Sequence, residues 1–314
     1  MIELQVTSVG APVTGTVVVF YRPDRACFER ANRLAAIGPC VVVDNTEGLD
    51  GPSAGVLDAR IEYVRNGRNL GIATAINQGI DALIRRGCAS AMIFDQDSEP
   101  SMVLLDALPR SLERELKANP RIALVGPAYE DARLGGVVPF VRFGYFRLRR
   151  VAPAGTAPVE VDFLISSGSC INLAVWREMG PMDDALFIDF VDLEWCARAR
   201  AKGYSVLGLP ALRMRHSLGG EPVRIFGRAY PGHSALRHYY MFRNAVALIR
   251  RNYLPWSWKS TELVKLPFRL VIYGLFMPQG IEHVRMSLLG LWHGVTGRMG
   301  PLSRGPSDGI RARG

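Results

Sequence analysis

Two aspartates with one residue between them come just after a short apolar run in the first third of the chain. The run Ala91–Phe94 is typical of a buried strand, and Asp95 and Asp97 follow it. In an open sheet of parallel strands, both carboxylates would lie at the rim where such sheets bind ligands. Hard oxygens suit Mg²⁺ or Mn²⁺, and Mg²⁺ is commonly held between one or two carboxylates and substrate phosphates. Alone this spacing is a weak signal, because most such triplets are turns.

Further polar side chains occupy comparable positions along the chain. Each follows a predicted strand or lies in a loop or helix start beside one, where a polar residue also has ordinary roles as a cap or a turn former. They are Asp44, Asn69, Asp189, Asp192, Glu194 and His216. Their chemistry therefore depends on whether the fold brings them together.

The sequence between them predicts the elements that would position these side chains. Strands are predicted at 16–21, 40–45, 61–65, 91–94, 122–125, 161–165, 170–173, 204–209 and 212–216. Helices are predicted at 25–37, 72–86 and 101–118, and a further helix begins near Asp192 and ends at Lys202. Strands that alternate with helices indicate a parallel sheet with right-handed crossovers, and apolar strands indicate cover on both faces. Residues 130–158, rich in Gly, Pro and Arg, are predicted to form an excursion over the site.

The last part of the chain has a different character. A helix rich in arginine and aromatic residues is predicted over 236–251, and two basic amphipathic segments follow at 256–276 and 280–295. Such segments can lie in a membrane interface, where tryptophans serve as anchors, or can pack on the domain with snorkelling lysines and arginines. We therefore divide the chain into a catalytic domain (1–233), a helical segment that either binds a membrane surface or packs on the domain (234–302), and a disordered tail (303–314).

Composition narrows the class of protein. The 314 residues are 48% hydrophobic and 21% charged, which permits a substantial core and argues against extensive disorder. The net charge of +9 favours anionic partners, namely nucleic acid, acidic lipid or phosphorylated substrates. Five scattered cysteines and the absence of a signal-peptide pattern predict a cytoplasmic location, and no run is long enough to be a spanning helix.

Taken in chain order, these motifs resemble glycosyltransferase family 2, and within it the bacterial rhamnosyltransferases. The resemblance extends over about residues 14–250. It is carried by the blocks 41–45 (VVVDN), 69–73 (NLGIA), 77–80 (NQGI), 94–98 (FDQDS), 187–195 (FIDFVDLEW) and 237–244 (RHYYMFRN). It implies an α/β fold of the GT-A type, which has a Rossmann-like, mostly parallel sheet flanked by helices, here with a C-terminal helical extension.

The resemblance also implies roles on the donor side. Asp44 would bind a pyrimidine base edge, Asn69 and Gly71 would shape the loop under the nucleotide, and Arg237, Tyr240 and Arg243 would grip the diphosphate. Mg²⁺ or Mn²⁺ would be bound by Asp95, Asp97 and His216, with Asp95 also facing the donor. Each position has a structural alternative, such as a strand end, a turn, a structural histidine or a solvated helix face.

On the acceptor side, Asp192 corresponds to the catalytic base of the family. Many members carry Glu-Asp where this chain has Val191-Asp192, so a neighbouring carboxylate that could tune the base is missing. Asp189 could be a supporting carboxylate or a helix cap. Ser167, Gly168, Glu194 and Trp195 are acceptor-side candidates, although a tryptophan on a helix is as readily explained by burial in the core.

The function so implied is inverting, metal-dependent transfer of L-rhamnose from dTDP-L-rhamnose to a cell-surface polysaccharide or a lipid-linked glycan. Two alternatives stay open: another donor, with galactofuranose, a hexose or an N-acetylhexosamine, and a non-catalytic nucleotide-sugar-binding scaffold. Nucleic acid is not an expected partner, because the basic residues are dispersed and no recognition motif is found. A dinucleotide-dependent oxidoreductase is disfavoured, because no Gly-x-Gly-x-x-Gly follows the first strand.

Overall fold

A computed structural model describes residues 12–48, 51–53, 55–131, 136–145, 147–215, 220–225 and 228–302. The strands in this part of the chain are β1 (Thr14–Phe20), β2 (Cys40–Asp44), β3 (Ile61–Arg65), β4 (Ser90–Asp95), β5 (Ile122–Asp131), β6 (Gly136–Val137), β7 (Phe140–Phe143), β8 (Leu148–Val151), β9 (Val159–Val161), β10 (Cys170–Asn172), β11 (Ser205–Arg215), β12 (Gly220–Ile225) and β13 (Arg228–Gly232). The helices are α1 (Arg25–Ala35), α2 (Ile72–Arg85), α3 (Met102–Ala118), α4 (Leu173–Met179), α5 (Val191–Ala201), α6 (Ala235–Ile249), α7 (Trp256–Phe276) and α8 (Gly280–Thr296).

The main sheet has the strand order β3-β2-β1-β4-β10-β5-β11-β9, with β6 added on β5. The pairs among β3, β2, β1 and β4 are parallel, and so is the pair β5–β11, whereas β10 runs antiparallel between β4 and β5. The carboxyl ends of β1, β2 and β4 therefore meet at one edge. The sheet is mostly parallel and flanked by helices, as the sequence predicts.

The central strands bury side chains on both faces. Val17 and Val19 of β1 belong to the core beneath α2, α4 and α5, whereas Val18 and Phe20 belong to the core beneath α1 and α3. Alternate residues of a strand point to opposite faces, so a continuous apolar run fills two cores at once. This is the physical reason that the β1 sequence TGTVVVF carries no polar alternation.

The structure changes three of the predicted elements. The strand predicted at 161–165 ends at Val161, and the two strands predicted at 204–209 and 212–216 form a single β11 with register shifts. The excursion after residue 130 contains the β7–β8 hairpin, which is a separate two-stranded sheet. The predicted disordered tail, 303–314, lies outside the described residues, as does His216.

Helices α6 and α8 pack very closely in the C-terminal segment. A Cβ atom added at Gly290 would stand 2.4 Å from the Tyr239 carbonyl oxygen, and one added at Gly294 would stand 2.7 Å from that of Arg243. Glycine on α8 therefore permits contact with the backbone of α6.

Among the described residues, none of the helices combines the length and the apolar character needed to cross a membrane. All five cysteines are buried and unpaired.

Candidate active site

A turn of small residues at 166–169 connects the two acidic motifs. The Ser166 amide donates to Asp192 Oδ2 at 3.3 Å. The next residue, Ser167, accepts a hydrogen bond from the Asp95 amide at 3.3 Å, and its hydroxyl lies 2.7 Å from that of Ser98. Because Ser166 and Ser167 are adjacent, Asp192 and the Asp95–Asp97 segment lie on either side of one turn. The three aspartates therefore share one edge of the sheet, although 95 residues separate the last two in sequence.

Asp192 occupies the first turn of α5 and is half-buried. Burial raises the pKa of its carboxyl group to about 6, and the negative charge of Asp189 acts in the same direction. Hydrogen bonds from the amides of Leu193, at 2.8 Å, and Ser166 partly oppose this shift because they favour the charged form. A carboxylate whose pKa lies near 6 can accept a proton at neutral pH and holds it better than an ordinary aspartate does.

The loop before α5 is strained. Phe187, Asp189 and Phe190 have φ values of 66°, 63° and 64°, a backbone conformation that residues other than glycine rarely adopt. Each such residue costs on the order of 1–3 kcal/mol and persists only when its surroundings hold it. We call residues 185–190 the strained loop. It leads directly into the turn of α5 that carries Asp192.

Two neighbouring residues of α6 hold the strained loop. The Asn244 amide donates to the carbonyl oxygens of Leu186, Ile188 and Asp189 at 2.9, 2.7 and 3.1 Å. The Arg243 guanidinium donates to carbonyls of the same loop and to that of Gly300. The structure thus corrects the expectation that Arg243 grips diphosphate: it is fully buried and supports the loop instead. Sequence reasoning missed Asn244, whose only signal was its place in the block 237–244.

A pocket of about 330 Å³ opens beside the strained loop. Four residues predicted to bind the donor line this pocket: Asn69, Gly71, Arg237 and Tyr240. The Tyr240 ring stacks at 4.8 Å on that of Phe187, which also lines the pocket. Both rings are nearly buried, with exposed fractions of 3% for Tyr240 and 9% for Phe187, so they form a wall of the pocket, and the Arg237 guanidinium suits the anionic phosphates of a nucleotide.

Gly71 is required where this pocket meets the strained loop. Its φ is +89°, and an added Cβ atom would lie 2.5 Å from the Phe187 carbonyl oxygen. The Asn69 side chain accepts a hydrogen bond from the Gly71 amide at 2.9 Å, and the Ile72 amide donates to the Phe187 carbonyl at 2.8 Å. Arg237 reaches across the loop to Asp189, with Nη2 3.0 Å from Oδ1.

Asp44 is buried at the end of β2, beside the pocket residue Asn45. One carboxylate oxygen accepts the Tyr63 hydroxyl at 2.5 Å and the other accepts the Thr46 amide at 2.7 Å. Each oxygen retains a second lone pair. A role toward a base edge stays a prediction, and Tyr63 is a partner that the sequence did not indicate.

The structure moves three acceptor-side candidates into the interior. Glu194 is buried and accepts hydrogen bonds from Arg198 and from the Tyr253 hydroxyl, the latter at 2.6 Å. Trp195 is fully buried, and its indole donates to the Gly180 carbonyl at 3.1 Å. Ser167 is buried too and supports Asp95 as described above. Only one side of a helix can point toward a cleft, and Glu194 and Trp195 of α5 point into the core instead.

Gly168 contributes shape to the same turn. Its φ is +83°, and an added Cβ atom would collide with the Met214 sulfur at 2.7 Å. The Gly168 amide donates to the Ile93 carbonyl at 2.8 Å, which ties the turn to β4. Its predicted place in an acceptor wall is untested, but the conformation explains why this position is glycine.

Asp95 and Asp97 are the two predicted metal ligands that lie within the described residues. Asp97 is exposed and Asp95 is half-buried in the turn after β4. No set of three or more His, Cys, Asp or Glu side chains in the described ranges is arranged to hold a metal ion. Two carboxylates at an open rim fit an ion that takes its remaining ligands from water and substrate phosphates, as Mg²⁺ commonly does. His216, the third predicted ligand, is outside the described residues.

Solved structures share this architecture. The chain matches a crystal structure of GalNAc-T7 with UDP, GalNAc and Mn²⁺ with a TM-score of 0.54 at 14% identity, over 92% of this chain and 56% of that one. It matches a crystal structure of S. aureus TarS 1-349 with a TM-score of 0.53 at 12% identity, over 90% of this chain and 81% of that one. The chain thus spans little more than half of the GalNAc-T7 chain. The fold is that of the GT-A glycosyltransferases.

A curated relative narrows this class. The chain is 31% identical over 262 residues to dTDP-rhamnosyl transferase RfbF of Shigella flexneri. The matched region covers 83% of this chain and 87% of the relative. No protein-family model matches the chain. The extent and identity of the match show that the chain belongs to glycosyltransferase family 2, in its bacterial rhamnosyltransferase-like group. It is a glycosyltransferase.

Proposed function

We propose that this enzyme transfers L-rhamnose from dTDP-L-rhamnose to a hydroxyl group of a glycan, with inversion at the anomeric carbon. The observation that carries the proposal is the placement of Asp192, a half-buried carboxylate with a raised pKa, across one turn from Asp95. The name of the Shigella relative supports the choice of sugar and nucleotide. The acceptor would belong to a cell-surface polysaccharide or be a lipid-linked glycan.

The reaction requires one proton transfer and one displacement. Asp192 takes the proton of the acceptor hydroxyl while that oxygen attacks C1 of the sugar from the face opposite the diphosphate. The new C1–O bond forms as the bond from C1 to the phosphate oxygen breaks, and dTDP leaves with the bonding electrons. The strained loop keeps Asp192 in position, and Arg237 and Tyr240 bind the nucleotide in the pocket that they line.

A divalent cation fits this scheme at the rim of the sheet. Asp95 and Asp97 would hold Mg²⁺ or Mn²⁺ together with oxygens of the donor diphosphate. When bound, the ion supplies positive charge that offsets the charge developing on the leaving diphosphate. The Mn²⁺ in the GalNAc-T7 structure agrees with this type of site.

The test of the proposal is donor selection, measured as calorimetric binding and as release of nucleoside diphosphate. The tightest binding and fastest turnover are expected with dTDP-L-rhamnose and Mg²⁺, compared with UDP-galactofuranose, UDP-hexoses and UDP-N-acetylhexosamines. NMR of the product should show the opposite anomeric configuration. Tighter binding of another donor would reject the sugar, and retained configuration would reject the single displacement.

Matched variants separate the two acidic motifs. Asp97→Asn should weaken activation by Mg²⁺, whereas Asp192→Asn should stop turnover and leave donor binding nearly unchanged. Asp106→Asn is the control, because Asp106 is an exposed α3 residue paired with Arg110 at 2.8 Å. If the Asp192 variant turned over at the rate of the control, Asp192 would not be the base.

A further inference from the structure

A second cavity, of about 450 Å³, adjoins the turn of α5 that carries Asp192. Its walls are the β7–β8 hairpin, the first turns of α5 and α7, and the segment that leads to Ser166. Phe190 and Leu193, which flank Asp192 in sequence, both line it, and so does Phe163. None of the residues predicted to bind the donor lines this cavity. It therefore adjoins the base from a side that the nucleotide pocket does not use.

The cavity is basic. Arg147, Arg150 and Lys265 line it, against a single carboxylate, Glu262. Glu262 is buried and already paired with Lys265 at 2.9 Å and Arg269 at 2.7 Å. Within the described part of the chain, neither Arg147 nor Arg150 has a carboxylate partner. Two unneutralised guanidinium groups at the mouth of a cavity favour a phosphate or diphosphate ligand.

Apart from Thr261, the remainder of the cavity is apolar and aromatic. Trp258 of α7 is fully buried and makes an edge-to-face contact with Phe190, with the ring centroids 5.8 Å apart. Leu148 and Phe163 complete this lining. A simple anion would gain nothing from such walls, because they add only apolar surface. The combination suits an amphiphile that bears both a phosphate and an apolar chain.

The adjacent face of α7 continues this apolar character into solvent. Val264, Phe268, Val271 and Leu275 follow one another at intervals of four, three and four residues, and their exposed fractions are 60, 66, 58 and 72%. Helix α8 adds a parallel set of exposed apolar side chains: Ile281, Leu288, Trp292 and Val295. Within each helix the regular spacing places these side chains on one face, so α7 and α8 each carry an exposed apolar stripe.

Charge favours a lipid surface as the occupant of this face. Residues 256–298 contain five basic residues and two acidic ones. Both acidic side chains are engaged by basic neighbours, Glu262 as described and Glu282 by Arg285 at 3.3 Å. An apolar stripe with basic edges and exposed tryptophans, such as Trp256 and Trp292, is the pattern of a helix that lies in an anionic membrane interface.

We propose that the basic cavity binds the phosphate group of a lipid-linked acceptor, and that the exposed face of α7 and α8 rests on the membrane that holds its chain. This rests on the proposed function insofar as the ligand is called an acceptor. The arrangement would deliver the glycan end of the lipid to Asp192 past Phe190 and Leu193, which line the basic cavity and not the nucleotide pocket. It also explains why cationic and apolar residues occur together on the β7–β8 hairpin and α7.

The test is vesicle flotation with no sugar donor present, so its outcome does not depend on which sugar the enzyme transfers. Three vesicles are compared: phosphatidylcholine alone, phosphatidylcholine with phosphatidylglycerol, and phosphatidylcholine with a polyprenyl diphosphate at equal total charge. The protein should bind the third at least about tenfold more tightly than the second, because charged hydrogen bonds to one diphosphate add to the general attraction. Equal binding to both anionic vesicles would overturn the cavity assignment.

Two double variants separate the cavity from the surface. Arg147→Gln with Arg150→Gln should remove the preference for the polyprenyl diphosphate while calorimetric binding of dTDP-L-rhamnose persists. Phe268→Ser with Leu275→Ser should lower binding to all vesicles. Arg33→Gln with Arg177→Gln, two exposed substitutions on α1 and α4, is the charge-matched control and should change neither. If the arginine pair behaved like this control, the cavity would not be the phosphate site.

Discussion

Replacing Asp192 by asparagine should strongly reduce turnover and stabilise the protein at the same time. The pKa of Asp192 is raised to about 6 from an ordinary value of 3.8, mainly by burial. That difference of about two units corresponds to roughly 3 kcal/mol by which the folded state disfavours the ionised carboxylate. Asparagine is nearly isosteric and uncharged, so it removes this penalty.

The net gain should be smaller than the whole penalty. The carboxylate accepts the amides of Leu193 and Ser166, and asparagine can accept only one of them well. Loss of one such hydrogen bond costs about 1 kcal/mol. We therefore expect the free energy of unfolding to rise by about 1–2 kcal/mol near pH 8.

The sign of this effect depends on pH. Because the pKa is raised in the folded state, the contribution of Asp192 to stability is fully present below about pH 4 and is lost as the pH rises through about 6. The variant should thus exceed the wild type in melting temperature near pH 8, and the difference should shrink as the pH falls toward about 4. Turnover, measured as nucleoside diphosphate release, should fall by about 10²–10⁴-fold.

The control is Asp106→Asn on α3, which removes an exposed carboxylate and should change the melting temperature little at any pH. A melting difference for the Asp192 variant that is negative or independent of pH would refute the argument, because it would mean that the ionised carboxylate is not disfavoured by burial. Retained turnover together with a gain in stability would instead leave the electrostatics intact and remove the base assignment.

Three further predictions concern the surroundings of Asp192. The acid limb of the pH dependence of kcat/KM should lie near pH 6. Asp189→Asn should move this limb to lower pH, because loss of the negative charge of Asp189 lowers the pKa of Asp192. If the limb did not move, another group would be the one that titrates. Asn244→Ala should lower the free energy of unfolding by about 2–4 kcal/mol and reduce kcat more than it changes donor affinity. The Ile188 and Asp189 carbonyls lose the donor that Asn244 supplies, and the Leu186 carbonyl keeps only Arg243. Calorimetry and kinetics separate the two effects. Gly71→Ala should weaken donor binding and stability far more than the control Gly48→Ala. Both glycines have a positive φ, but only at Gly71 does a backbone carbonyl lie 2.5 Å from the added Cβ atom. Equal losses in the two variants would contradict the close packing.

The interior of the sheet was accessible to sequence reasoning. Within the predicted strands 16–21 and 40–45, residues 17–20 and 40–43 are apolar at every position, as strands covered on both faces require, and β1 and β2 are found there. The helices at 72–86, 101–118 and 256–276 were also recognised within one residue at either end. These features follow from local periodicity, which neighbouring residues establish by themselves.

The strand ends determined the acidic edge. Asp44 and Asp95 end β2 and β4, and Asp192 begins α5. Parallel strands place their carboxyl ends together, so the sequence assigns Asp44 and Asp95 to one edge, whereas the place of Asp192, which begins a helix, comes from the family resemblance. The domain boundary at residue 233 and the roles of individual site residues stay predictions.

Tertiary structure alone decided which side chains near this edge face the cleft. Arg243, Glu194 and Trp195 carry groups suited to phosphate or sugar, yet each is buried against residues that are distant in sequence or on another element. The partner of a helix face is chosen by how whole elements pack, and the periodicity of the helix itself does not contain that choice. The same holds for the pKa of Asp192 and for the grip of Asn244 on the strained loop, because both arise from groups that meet only when the chain has folded.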